Sequence, residues 1–143
     1  MSGPVVDRSY PCINVRVESP DGTMFVTIME NEGMLPFKVL VHIGKSGSSL
    51  AAWANCAAEF VSEAIPRLGF NTVIARLLGI TSDKVAFASD AVTDNGIVTV
   101  KSGPEAIAYA LIKYRLFKYR ELNKNLGLDE DGDEDNYRGP SAA

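Results

Sequence analysis

Along the first third of the chain, apolar and polar residues alternate with a period of two, the spacing of strands that cover one face. Cys12 to Val17 reads as a strand and Ser19-Pro-Asp-Gly22 as a turn. Thr23 to Glu30 reads as a second strand, with Met24, Val26 and Ile28 opposite Phe25, Thr27 and Met29. Asn31-Glu-Gly33 makes another turn, and Leu35 to Ile43 a third strand in which Val39, Val41 and Ile43 alternate with Lys38 and His42. Three consecutive strands with short turns predict an antiparallel meander.

At about Ser48 the period changes to that of a helix. Leu50, Trp53, Ala54, Ala57, Phe60, Val61 and Ala64 predict one apolar face running to Ile65, with Pro66 and Gly69 as the stop. Asn71 is placed to cap a shorter helix to Leu78, ended by Gly79, with Val73, Ile74, Leu77 and Leu78 on its apolar side. Val85 to Ala88 and Ile97 to Val100 read as two short strands about the turn Asp94-Asn-Gly96. Pro104 opens a last helix to about Lys124, with Ile107, Leu111, Tyr114, Phe117 and Leu122 as its buried stripe and Gly127 beyond it. The fold class expected is α+β, an antiparallel β-meander packed against two to three α-helices. Residues 1–11 are expected to be an extended leader, 12–127 a single domain, and 128–143 a disordered acidic tail.

Composition agrees with a globular domain: 143 residues, 46% hydrophobic and 22% charged, are enough for a core without metal or disulfide support. Cys12 and Cys56 form no Cys-x-x-Cys pair, and Cys56 is expected to be a small core residue. The one histidine, His42, lies on a strand beside hydrophobic neighbours, is expected to be structural, and cannot by itself build a metal cluster. No apolar run reaches the length of a membrane span, and the first residues lack a signal-peptide pattern, so a cytoplasmic location is expected.

The charge is unevenly placed. Of the overall −4, the segment from Asp129 onward carries −5 through its six carboxylates and Arg138, leaving +1 on residues 1–128. Asp129-Glu-Asp-Gly-Asp-Glu-Asp135 resembles the start of a calcium loop, but the bidentate glutamate at the twelfth position and a second helix are missing. A nearly neutral body with an acidic tail argues against nucleic acid as a partner.

Candidate chemistry gathers at the third turn. After the strand come Gly44, Lys45, Ser46, Gly47, Ser48 and Ser49, and then the long helix. Free N–H groups, the positive end of the helix dipole, a lysine and hydroxyls form a seat for an anion. The spacing is not that of a phosphate-binding P-loop, because the earlier glycine would stand at Val39, within the strand. A tight connection capped by Ser48 accounts for the same residues without a ligand. A second loop, Lys101-Ser-Gly103, opens the last helix in the same way, through Ser102 and Gly103. On that helix Arg115 and Lys118 lie on one flank, with Lys113, Arg120 and Lys124 on another face. This arrangement reads either as a phosphate-binding wall or as a solvated face. Tyr109, Tyr114, Phe117 and Tyr119 interleave with these charges. Phe87, with Asp90, Asp94 and Asn95 nearby, is placed to read a base edge, although the turn by itself accounts for the aspartates and the asparagine.

With these elements placed, Pro36-Phe-Lys-Val-Leu-Val-His-Ile-Gly-Lys-Ser-Gly-Ser48 and the helix–Gly-Phe-Asn–helix–Leu-Gly-Ile run from Leu50 to Ile80 resemble the TSCPD domain. In that family the domain lies near the C-terminus of adenosylcobalamin-dependent (class II) ribonucleotide reductases and also occurs as a small stand-alone protein. The resemblance covers residues 23 to 115. It departs at the naming motif: Thr-Ser-Cys-Pro-Asp aligns with Lys101-Ser-Gly-Pro-Glu105, so Gly103 stands in place of the cysteine. The reductases' electron-passing cysteine pair and catalytic barrel have no counterpart, so the chain by itself is not expected to reduce ribonucleotides. No Ser-His-Asp, Cys-His or metal constellation can be built from one histidine and two lone cysteines.

The function expected is therefore non-catalytic binding, without cofactor or metal, of a phosphate-bearing, nucleotide-like small molecule. The site residues are Lys45, Ser46, Gly47, Ser48, Phe87, Asn95, Ser102, Gly103, Arg115 and Lys118. Such a binder is compatible with a phage-encoded anti-defence sponge for cyclic nucleotide or cyclic ADP-ribose-like immune signals. The alternative is an accessory or regulatory domain acting in trans on a ribonucleotide reductase. Trp53 and the alanine-rich helix lead to an expectation of homo-oligomers.

Overall fold

The structure, a computed structural model, describes residues 10–89 and 96–127. Among the described residues, eight elements follow in order: β1 (Cys12–Ser19), β2 (Gly22–Glu30), β3 (Pro36–Ile43), α1 (Ser49–Leu68), α2 (Phe70–Leu78), β4 (Ala86–Ser89), β5 (Ile97–Val100) and α3 (Gly103–Asn125). The architecture is α+β. A three-stranded antiparallel sheet runs in the order β1-β2-β3, and β4 and β5 form a separate antiparallel pair.

Alternation in the strands does what its period requires. Val26 pairs with Val15 on one side and Val41 on the other, and the inward set of Met24, Val26 and Ile28 faces the helices. Among the described residues, no helix covers the opposite sheet face. There Phe25 stands in register between Arg16 and His42, and it is 41% exposed. His42 is exposed, on the outward parity of β3 opposite Val39, Val41 and Ile43, as the alternation predicts.

The helices cover the inner face. α1 lies against β3, α3 against β1 and β2, and α2 packs between α1 and α3. Ala54, Ala58, Val61 and Ile65 form the buried stripe of α1, and the small alanines let it approach closely. One contact fixes that approach: the Val39 backbone N–H donates to Ser62 Oγ at 2.8 Å, while the Ser62 hydroxyl reaches Ala58 O at 2.8 Å. A helix thus covers part of an edge strand whose polar groups would otherwise face solvent.

Several helix expectations are corrected. Trp53 and Phe60 are each 72% exposed, and Cys56 is exposed too. Trp53 and Phe60 lie about 110–130° round from the 54–58–61–65 stripe and Cys56 about 170°, so the broad apolar face splits into an inner half and an outer half. Pro66 sits inside the last turn of α1, and the helix ends at Gly69, whose N–H bonds Ile65 O. Gly69, not Asn71, stands at the N-cap of α2. On α3 the buried stripe ends at Tyr114, and Phe117 and Leu122 are 48% and 56% exposed because the helix runs past the sheet. Of the expected β4–β5 turn, Asp94 and Asn95 lie outside the described residues, as do most of the leader and the tail from residue 128.

Candidate ligand-binding site

The Gly44–Ser48 loop follows directly from β3. Gly44 and Gly47 have φ of 71° and 83°, the left-handed region, and a Cβ at Gly44 would meet Leu50 Cδ2 at 3.2 Å. The chain therefore turns sharply enough to start α1 against β3, which glycine permits at little steric cost. Ser48 caps the helix, accepting from the Ala51 N–H at 3.1 Å. Lys45, Ser46 and Gly47 are exposed, and the first turn of α1 contains no acidic residue. The positive end of a 20-residue helix thus has no acidic side chain in its own first turn.

The second loop lies at the same end of the sheet. A Cβ at Gly103 would lie 3.9 Å from Met24 Cε, and Met24 pairs with Ile43, the residue before Gly44. The two loops expected to act together are therefore neighbours across β2. Their electrostatics differ. Ser102 is buried, its hydroxyl donating to Ile80 O at 2.6 Å while accepting from the Glu105 N–H at 3.0 Å. Glu105 Oε1 accepts from the Lys101 N–H at 2.9 Å, and Asp21 Oδ2 stands 3.6 Å from where a Gly103 Cβ would be. The start of α3 already has two carboxylates beside it, so the start of α1 is the stronger seat for an anion.

Arg115 and Lys118 lie elsewhere. At 1.5 Å per residue they are about 18–22 Å along α3 from Gly103. The Arg115 guanidinium donates to Asn71 Oδ1 and joins α3 to α2. Lys118 Nζ is 3.0 Å from Glu30 Oε2 and 3.3 Å from Glu121 Oε1. Neither reaches the loop end of the sheet within one chain. Phe87 is 66% exposed on β4, beside β1, and Asn95 lies outside the described residues.

A polar cluster that the expected site left out surrounds Glu30. This carboxylate is 2% exposed and accepts the Tyr114 hydroxyl at 2.5 Å as well as the Lys118 ammonium. Burial and the bond to Glu30 push the Tyr114 phenol well above its ordinary pKa, with the charges of Glu30 and Glu121 adding to the effect. Burial works against the Lys118 charge, but the hydrogen bonds to Glu30 and Glu121 outweigh it and raise the ammonium above the ordinary lysine value. The signal was present in the parity of β2: Glu30 follows Met24, Val26 and Ile28 at every second residue and so had to face inward.

Among the described residues, no group of three His, Cys, Asp or Glu side chains is placed to hold a metal ion, and no helix is long and apolar enough to cross a membrane. In comparisons with known proteins, no curated protein and no solved structure matched the chain. The family model of the TSCPD domain does match, over residues 7–115, which is well over half of the 143 residues. Strand β3, its glycine-serine loop, α1, α2 and most of α3 fall within that match, and on it the chain belongs to the TSCPD domain family.

Proposed function

We propose that this TSCPD domain binds a phosphate-bearing, nucleotide-like small molecule at the Gly44–Ser48 loop and holds it without transforming it. The observation that carries this reading is the N-terminus of α1, free of acidic residues in its first turn and flanked by exposed Lys45 and Ser46 on a loop bent by two left-handed glycines. Backbone N–H groups and the helix dipole favour phosphate oxygens there, and the lysine adds a mobile charge. Sequestration of a cyclic nucleotide or cyclic ADP-ribose-like signal is the form of binding that needs no catalytic group.

Native mass spectrometry of the purified protein, with denaturing release of bound small molecules, and calorimetry against a panel of such nucleotides test the reading. The expected outcome is a nucleotide ligand whose affinity falls at least about tenfold in Lys45→Ala, the loss of one charge-assisted contact. A protein that remains empty against the whole panel overturns it.

The outer face of α1 favours a second reading, a protein-contact role toward a ribonucleotide reductase chain. Trp53 and Phe60 are large, exposed and two turns apart on one helix face, as anchor residues of interfaces can be. Co-purification with a reductase large chain that is lost in Trp53→Glu supports that role.

A further inference from the structure

The uncovered face of the sheet is a second surface, separate from the Gly44–Ser48 loop. Three side chains form one cross-strand row there: Phe25 on the central strand β2, Arg16 opposite it on β1 and His42 opposite it on β3. All three have the outward parity of their strands and are exposed. Phe25 is 41% exposed, whereas the inward residues of the same strand, Met24, Val26 and Ile28, are at most 2% exposed, so its ring is not part of the core. Neighbouring strands lie about 4.8 Å apart, so the row spans about 10 Å, with a guanidinium and an imidazole flanking one aromatic.

The polar neighbours of Phe25 are held in place. Arg16 Nη2 is 3.5 Å from Glu18 Oε1, and the Thr23 hydroxyl lies 2.9 Å from each Glu18 oxygen. The carboxylate is thus engaged on both sides, and it positions the guanidinium while leaving most of its donors unused. In the next outward row Thr27 stands between Asn14 and Leu40. The Thr27 hydroxyl donates to Asn14 Oδ1 at 3.0 Å, which fixes the side-chain amide. The amide N–H donors have no acceptor among the described residues. Lys38, opposite Met29, adds a further cation one row beyond.

We propose that this face binds single-stranded nucleic acid, with one base stacked on Phe25, Arg16 and His42 on the phosphates to either side of it, and the Asn14 amide on the edge of a neighbouring base. An open, flat face suits a strand better than a free nucleotide. Small ligands take concave sites that bury most of their surface, whereas unpaired bases lie on aromatics carried by a sheet. A donor stands on each side of Phe25, and a backbone crossing the strands brings a phosphate to each, where a mononucleotide brings one to a single side. The nearly neutral body provides no long-range field for a duplex, so affinity rests on stacking and a few short contacts.

The test is fluorescence anisotropy of the full chain with a fluorescein-labelled adenosine oligoribonucleotide about ten nucleotides long, within the site sizes of such stacking platforms. The variants are Phe25→Ala, Phe25→Tyr, Arg16→Gln and Lys45→Ala. Phe25 and Arg16 lie on the outer face, so their variants leave the core intact. The expected result is saturable binding that weakens at least about tenfold in Phe25→Ala, the loss of one stacked base. Phe25→Tyr keeps a ring to stack on and is expected to bind as the parent chain does, and Lys45→Ala is expected to bind unchanged. Arg16→Gln is expected to weaken binding and to lower its salt slope by about 1, the loss of one phosphate contact. A parent chain without saturable binding overturns the proposal, as does unchanged binding in Phe25→Ala. Displacement of the probe by AMP at an equal concentration of nucleotide overturns it as well, because the face then holds a free nucleotide rather than a strand. So does binding that is lost in Lys45→Ala and kept in Phe25→Ala, which places the phosphate at the start of α1. Absence of nucleotide binding at the Gly44–Ser48 loop leaves this titration unaffected, so the two sites fail or stand separately.

Discussion

Glu30 shows how much one residue can hold together. Burying a carboxylate costs several kcal/mol unless its partners are well placed, and here a phenol and an ammonium from α3 both meet it at the end of β2. Removing the acid leaves Tyr114 and Lys118 facing an empty space. Lys118 is 21% exposed and can swing toward Glu121 and water, which limits the loss. Glu30→Ala is expected to destabilise the fold by about 3 kcal/mol, read as a lower urea midpoint at unchanged slope. A change within the ordinary surface range would show that the cluster contributes nothing. Gly103 gives a different lesson at the same scale. Its φ is not in the left-handed region, and an added Cβ meets only Asp21 Oδ2 at 3.6 Å and Met24 Cε at 3.9 Å. The glycine that replaces the family's cysteine is therefore not required by the backbone.

Among the elements, the two capped helices separate local from tertiary duty. Ser48 makes a single bond to the Ala51 N–H at a partly exposed helix start, whereas buried Ser102 both caps α3 and ties it to Ile80 O. Ser48→Ala is expected to cost about 1 kcal/mol and Ser102→Ala about 2 kcal/mol, compared by thermal melting. Equal losses would mean that the Ile80 tie adds nothing. The outer face of α1 belongs at this scale as well. Trp53 and Phe60 contribute little to the monomer's core, so Trp53→Glu with Phe60→Glu is expected to leave the melting temperature nearly unchanged. Light scattering is expected to show an oligomer for the parent chain and a monomer for the double variant. A parent chain at the monomer mass of 15.4 kDa would set aside self-association.

For the whole molecule, the Glu30 cluster couples the sheet to α3 and makes stability depend on pH. The pKa values of Tyr114 and Lys118 are both raised in the folded state, so the fold binds these protons more tightly than the unfolded chain does. Their contribution is complete below the unfolded values, about pH 10 for both, and is lost as pH rises through the folded ones. Denaturation midpoints are expected to fall above about pH 10, and to fall less steeply in Tyr114→Phe. A Tyr114→Phe profile parallel to that of the parent chain would remove the phenol from this account.

The residues by themselves determined the three-strand meander, the two short strands, and the helix starts near Ser48 and Pro104, because period-two alternation, turn residues, an N-cap and a first-turn proline act over a few positions of chain. They also determined that the Gly44–Ser48 loop would connect a strand to a long helix. Only the tertiary structure decided which half of the α1 apolar face turns inward, since Trp53 and Ala54 differ by 100° of rotation and the pattern serves either half. It likewise placed the two loops at one end of the sheet, and Arg115 and Lys118 at the far end of α3. Those outcomes depend on how far helices reach across a sheet and where a second hairpin settles. Both are set by packing between segments distant in sequence, on which local periodicity carries no information.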